Sequence, residues 1–257
     1  MAIHLKTWTK HASIKFYGIT QDPETLSYMM VLEFAEDGNL RDNLKINFNN
    51  INWIQKLYNL YILSLKLMKI HKLDIVHQDF HPGNILSSNF KNYSMMISDF
   101  GLSKLIGTNP NNPKKKNIFG VLPYIAPEVL SGDEYTKAAD VYSFGIIVYE
   151  IVTGFLPYPN IPHDKDLAMK ICDQKSISYS KINYKNNYEV LGCSRKNKDL
   201  EIVFQVKKAE EFLANQASTN ATTPLNYQTH PQAIYTSRIL NFSNLPKMRM
   251  KKILKKN

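Results

Sequence analysis

The chain has 257 residues, 44% of them hydrophobic and 21% charged, with a formal net charge of +10. That supplies the core of one domain of moderate size plus a tail. No run of about 18 apolar residues occurs, which excludes a membrane span, and Cys172 and Cys193 are too few for a disulfide framework.

Taken in order, Met1–Lys10 is short and contains no Glu, and Ile14–Ile19 reads as a strand. Val31–Leu40 (VLEFAEDGNL) is an extended connection that runs into a short helix, Gly38–Leu44. Ile51–Ile70 is the clearest long helix. Ile54, Leu57, Tyr58, Tyr61, Leu65 and Met68 recur at spacings of three and four, and that stripe is expected to face the core. The apolar run Leu73–Val76 precedes His77–Asn84 (HQDFHPGN). Ile85-Leu86, polar Ser87–Asn92 and Met95-Met96-Ile97 then predict a hairpin that delivers Asp99-Phe100-Gly101.

Asp79, Asn84 and Asp99 thus put a carboxylate, a carboxamide and a second carboxylate on two short turns. Either motif alone is most often just a turn; the two in this order carry chemistry. Oxygen groups so spaced suit Mg²⁺ on a nucleotide's phosphates and the proton of an attacking hydroxyl. Mg²⁺ takes only one or two protein oxygens. Asn84 and Asp99 meet that demand and leave Asp79 to deprotonate an acceptor, a contribution of roughly 10²–10⁴-fold.

Further on, Gly120–Glu128 reads GVLPYIAPE, and Asp140–Gly145 (DVYSFG) opens a helix-like run, Ile146–Val152. With HQDFHPGN and the Asp99 turn, this stretch resembles the large lobe of eukaryotic protein kinases. Among them Val31–Leu40 and Gly145–Cys172 resemble most the tyrosine-kinase-like group. The resemblance covers roughly residues 11 to 173. It implies an α+β, protein-kinase-like two-lobed fold with a mostly helical large lobe and a truncated β-sheet in the small lobe. Residues 1–175 would be the kinase domain, and 176–257 a divergent segment with a Ser/Thr/Asn-rich linker and a basic tail.

The resemblance also assigns roles. Asp79 is the expected base, with His81 beside it, and Asn84 and Asp99 are the expected metal ligands. His77 and Phe100 would belong to a packed internal column, and Asp140 would brace the catalytic loop from below. Leu32 falls at the position that narrows the pocket behind adenine. Backbone groups of Glu33 and Ala35 would bond the adenine edge, and Leu86 would pack beneath its ring. ATP, Mg²⁺ and a protein substrate are implied, with signalling as the setting and the cytoplasm, given no apolar leader, as the place.

Departures from the family pattern sharpen this. Gln78 replaces an Arg that pairs with a phosphorylated activation loop. His81 stands where Ser/Thr kinases carry a Lys for the γ-phosphate, and a mostly neutral imidazole supplies less charge. Val121 replaces a Thr that links the activation segment to the catalytic Asp. No G-x-G-x-x-G loop and no V-A-I-K strand precede Asp79, so the phosphate clamp and its Lys are missing from these residues. Leu102–Phe119 would be the activation loop, with Ser103 and Thr108 as candidate phosphosites and Lys114-Lys115-Lys116 as a solvated run.

After Asp173 the pattern breaks, and the Arg that normally pairs with the carboxylate matching Glu128 is not found. A buried carboxylate left without its partner would cost about 3–5 kcal/mol. Leu200–Ala214 is a helix candidate, Ala217–Thr229 a disordered linker, and Lys247–Lys256 a solvated basic tail. Three readings follow: a kinase domain, inactive by itself, incomplete or mis-spliced; a non-catalytic, pseudokinase-like interaction fragment; and, more weakly, a basic nucleic-acid-binding protein. The tail has no aromatic residue to stack on bases, so nucleic acid is not an expected partner.

Overall fold

The computed structural model describes residues 2–9, 11–92, 94–106, 118–173 and 228–241. Helix α1 (Ala2–Trp8) leads into strand β1 (Phe16–Gln21), which pairs antiparallel with β2 (Tyr28–Leu32) through a bulge at Phe16/Gly18. The hairpin is thinly covered: every residue of β2 is exposed, as are Tyr17, Ile19 and Phe34. Two strands alone are marginal in water. What holds them is the α1 side, where the buried His4 bonds the Ile14 carbonyl through Nε2 at 3.1 Å and Thr7 donates to Ser13 at 2.9 Å.

The rest is helical around a core. Asn39 caps α2 (Leu40–Asn47) by accepting from the Asp42 amide. Helix α3 (Trp53–His71) starts in a full capping box between Asn52 and Gln55. The α3 face expected to be buried is not the one that is. Leu60, Leu63, Leu67 and Ile70 are buried with Lys56 and Asn59, whereas Ile54 is 49% and Tyr58 43% exposed. The helix carries two apolar stripes, and tertiary packing selects the one facing α5 and β5; periodicity alone does not separate them.

Strand β3 (Ile75–Val76) pairs with β6 (Lys104–Leu105), and β4 (Ile85–Ser87) with β5 (Met95–Ile97), the hairpin the sequence predicts. Strand β7 (Ile118–Gly120) is followed by α4 (Pro127–Leu130) and α5 (Lys137–Thr153). Thr136 caps α5 at its start, and Gly154 ends it at φ +74°, a left-handed position suited to glycine. Helix α6 (Lys165–Asp173) follows, and the last described strand, β8 (Arg238–Leu240), pairs antiparallel with β7.

One buried cluster joins α2, α3, α5 and the segment around Phe80, and a second joins Leu122, Ala126, Leu167, Ile171 and Leu240. Glu128 is only half-buried and has no ion-pair partner among the described residues. It is therefore not the fully buried orphan expected, and the penalty of about 3–5 kcal/mol for one does not apply. Among the described residues no helix is long and apolar enough to cross a membrane. Thr108, Lys114–Lys116, Leu200–Ala214 and Lys247–Lys256 lie outside the described residues, as does all but the end of Ala217–Thr229.

Candidate active site

The loop His77–Asn84 is held from beneath by one carboxylate. Asp140, in the first turn of α5, is 1% exposed and accepts from the His77 amide at 2.8 Å, the Gln78 amide at 3.1 Å and His71 Nε2 at 2.9 Å. Gln78 sits at φ +71°, a sparsely populated conformation for a residue with a side chain. Such a conformation persists when its surroundings fix it, and here the Asp140 oxygens do so. His77 donates through Nε2 to the Ser98 carbonyl at 2.9 Å, which ties the loop to the turn that carries Asp99. The His77 ring lies 5.0 Å from Phe100, whose ring lies 5.6 Å from His4, so an aromatic column runs from the loop to α1. Ser103 spends its hydroxyl on the His77 carbonyl at 3.1 Å.

Asp79 is 4% exposed. Its Oδ2 accepts the hydroxyl of Ser237 at 2.6 Å and faces Asn84 Nδ2 at 3.3 Å. Its Oδ1 is buried without a hydrogen-bond partner among the described residues; His81 Nε2 is 3.6 Å away. Burial opposes the carboxylate's charge, but the adjoining His81 ring and the Ser237 hydroxyl outweigh it and hold the carboxyl below its ordinary value. Burial pushes His81 down, so its ring is neutral at pH 7. Its Nδ1 accepts from the Gly83 amide at 3.0 Å, which assigns the proton to Nε2, 3.1 Å from Ser237 Oγ. The Ser237 oxygen therefore receives one hydrogen bond and gives its own proton to Asp79. Gly120 of β7 sits at φ +138°, a conformation that favours glycine, and a Cβ there would meet Ile125 Cδ1 at 3.3 Å and Asp79 Oδ1 at 3.4 Å.

Asn84 commits its amide nitrogen to the Asp79 carbonyl at 2.9 Å, which leaves its Oδ1 as an uncommitted acceptor. Asp99 is exposed at φ +56°, and among the described residues only its Oδ1 is engaged, by the Gly101 amide at 3.2 Å. One free carboxamide oxygen and one open carboxylate form a donor set that suits Mg²⁺ sharing a substrate's phosphates. Glu33, Ala35 and Leu86 line one shallow depression with Ile14, Phe34, Ser87 and Met96. Leu32 is not part of that lining; it ends β2, opposite Phe16, 37% exposed.

Two groups of residues beside the loop were not singled out from sequence. Arg41 on α2 donates to Tyr124 Oη at 3.2 Å and to the Tyr235 carbonyl at 2.6 Å, and lies 3.8 Å from Glu150. Tyr124 in turn donates to the buried Glu150. Burial raises Glu150 and raises Tyr124 well above its ordinary value. An Arg inside a mostly polar helix and a Glu inside a long apolar one were the available signals. The second group is the strand around Ser237, more than 150 residues from Asp79 in sequence, for which no local pattern points to the loop.

A buried carboxylate on a hydroxyl, two open oxygen groups on neighbouring turns and a shallow depression on an α+β scaffold are compatible with phosphoryl transfer. The family model described as a protein kinase domain matches residues 3–225, well over half the chain, and the chain belongs to that family. A protein kinase and PP2C-like domain-containing protein of Arabidopsis thaliana is 34% identical over 150 residues, covering 51% of this chain and 22% of that protein. The cAMP-dependent protein kinase type 3 of Saccharomyces cerevisiae is 34% identical over 147 residues, 57% of this chain and 34% of that one. Tyrosine-protein kinase SPK-1 of Girardia tigrina is 27% identical over 168 residues, 65% and 32% of the two chains. The chain therefore spans about a fifth to a third of these relatives. The match to the family extends beyond Asp173, where the sequence pattern fades.

Proposed function

We propose that this chain carries the acceptor and metal half of a protein kinase site, serving transfer of the γ-phosphoryl group of ATP to protein hydroxyls. The observation that carries this is the Ser237 hydroxyl on Asp79 at 2.6 Å, an aliphatic alcohol held on a buried, ionised carboxylate. Asp79 accepts the alcohol's proton, and the neutral His81 orients its oxygen through Nε2. Asn84 Oδ1 and Asp99 Oδ2 would hold Mg²⁺. When bound, Mg·ATP supplies the transferable phosphoryl group and the charge neutralisation of its leaving oxygen. Glu33 and Ala35 backbone groups would receive adenine, with Leu86 under it.

Seryl and threonyl hydroxyls are the proposed acceptors. Three relatives from Dictyostelium discoideum are named as probable serine/threonine-protein kinases, which supports this; membership of the tyrosine-kinase-like group rests on the hinge and Gly145–Cys172 patterns, and a cytoplasmic, signalling setting goes with it. His81, being neutral, gives less hold on a γ-phosphate than a Lys. No Gly-rich loop or strand Lys stands before Asp79 in these 257 residues. Since this chemistry is nearly all positioning and charge stabilisation, the chain by itself is expected not to turn over. The test is radiolabel transfer from Mg·ATP to a serine peptide by the 257-residue chain. No signal above that of Asp79→Asn is expected, and robust transfer that Asp79→Asn abolishes would refute the expectation.

A further inference from the structure

The segment 228–241 is held across the active site by contacts that resemble recognition more than chain tethering. Strand β8 runs antiparallel to β7 with Ile118 opposite Leu240, Phe119 opposite Ile239 and Gly120 opposite Arg238. That register places Ser237 next to the Gly120–Arg238 pair, where a Cβ on Gly120 would lie 3.4 Å from Asp79 Oδ1. Main-chain pairing fixes depth, and the side chains on either side of Ser237 each find a separate seat.

Two residues before the serine, the Tyr235 ring stacks edge-on against His163 with centroids 4.7 Å apart. It also lies 5.5 Å from the Arg41 guanidinium, and its hydroxyl donates to the Pro157 carbonyl at 2.9 Å. Directly after the serine, Arg238 donates to the His163 carbonyl. Three after it, Leu240 is 4% exposed in the second core cluster. Upstream, the His163 amide donates to the Gln232 carbonyl at 3.0 Å, and His230 donates to the Pro159 carbonyl at 2.8 Å. The receiving surface is therefore β7 together with the loop between α5 and α6.

We propose that Gln228–Asn241 is a built-in acceptor strand: it occupies the groove in which this site takes its protein substrate, with Ser237 in the place of the acceptor hydroxyl. This rests on the kinase reading above and names the substrate class of that same site. The site takes an extended serine peptide with an aromatic residue two before the serine, an arginine directly after it and an aliphatic residue three after it. Serine fits because the strand's backbone is pinned to β7 with only a short side chain's reach to Asp79. A tyrosine at this register would carry its phenolic oxygen past the carboxylate. The chain's own strand, being covalently attached, competes with any added peptide at an effective concentration on the order of mM.

The test is binding without nucleotide, read by fluorescence anisotropy of a labelled peptide with the sequence of His230–Asn241. The full chain carrying Arg238→Glu, whose own strand loses its seat on His163, is expected to bind this peptide about tenfold or more tighter than the unaltered chain. Should that variant not fold, Tyr235→Ala, which removes the ring from His163 and Arg41, carries the same expectation. Peptides with Ser237→Ala or Arg238→Glu are expected to bind the opened chain several-fold more weakly than the parent peptide. Equal binding by the opened and unaltered chains, or indifference to both peptide changes, would overturn the proposal. With no nucleotide present, a chain that transfers no phosphoryl group still gives the contrast. A chain that transfers phosphoryl but lacks the contrast refutes this inference alone.

Discussion

Asp140→Ala tests how the catalytic loop is held. The side chain is 1% exposed and accepts from two backbone amides and His71, at 2.8–3.1 Å. Its removal leaves the His77 and Gln78 amides buried and unpaired, at about 1–3 kcal/mol each. It also leaves Gln78 at φ +71° without the groups that fix it. The sum, about 2–6 kcal/mol, agrees with the roughly 3–5 kcal/mol typical of breaking a buried charged pair. Set against a domain stability of roughly 5–15 kcal/mol, that is a large loss. Asp140→Asn keeps one acceptor oxygen but turns the other position into a donor facing a donor, so about 1–3 kcal/mol is expected. Urea denaturation followed by circular dichroism reads both, with the midpoint falling and the slope unchanged. An alanine variant that loses less than about 1 kcal/mol would refute the reasoning.

Two further outcomes follow from packing and charge. Leu63→Ala, at a fully buried α3 position, is expected to cost about 2–5 kcal/mol, whereas Ile54→Ala, 49% exposed, is expected to cost less than about 1 kcal/mol; the reverse order in urea midpoints would restore the other stripe as the buried face. Burial lowers Lys56 and Lys66 to about 8 from an ordinary 10.5. Between those values the unfolded chain binds more protons than the folded one, so stability rises as pH goes from 8 towards 10. Lys56→Met should flatten that rise, and a stability that instead falls with pH over this range would contradict it.

Much of the site was legible because its parts are local in sequence. The run from His77 to Asp99 folds into one turn, one hairpin and a second turn, as the spacing predicts, and the His77–Ser98 bond ties the two turns together. The bracing role of Asp140 came from the resemblance carried by DVYSFG, and its oxygens do accept from the His77 and Gln78 amides. The α3 face was not legible, since Ile54, Tyr58 and Tyr61 form as good a period as Leu60, Leu63 and Leu67, and only the neighbours decide. Ser237 was hidden for a different reason. Its approach to Asp79 depends on β7–β8 pairing across more than a hundred residues, and strand pairing over such a distance leaves no signature in a window of local pattern. The burial expected for the Glu128 carboxylate was not legible either, because half-exposure could not be read from a helix only four residues long.

The most direct test of the central claim is phosphoryl transfer by this chain joined to a kinase small lobe that supplies a Gly-rich loop and its lysine. The account predicts Mg²⁺-dependent transfer from ATP to the serine of a His230–Asn241 peptide, abolished by Asp79→Asn. Transfer that survives Asp79→Asn would contradict it, because the hydroxyl proton would then have another acceptor than the carboxylate on which Ser237 rests.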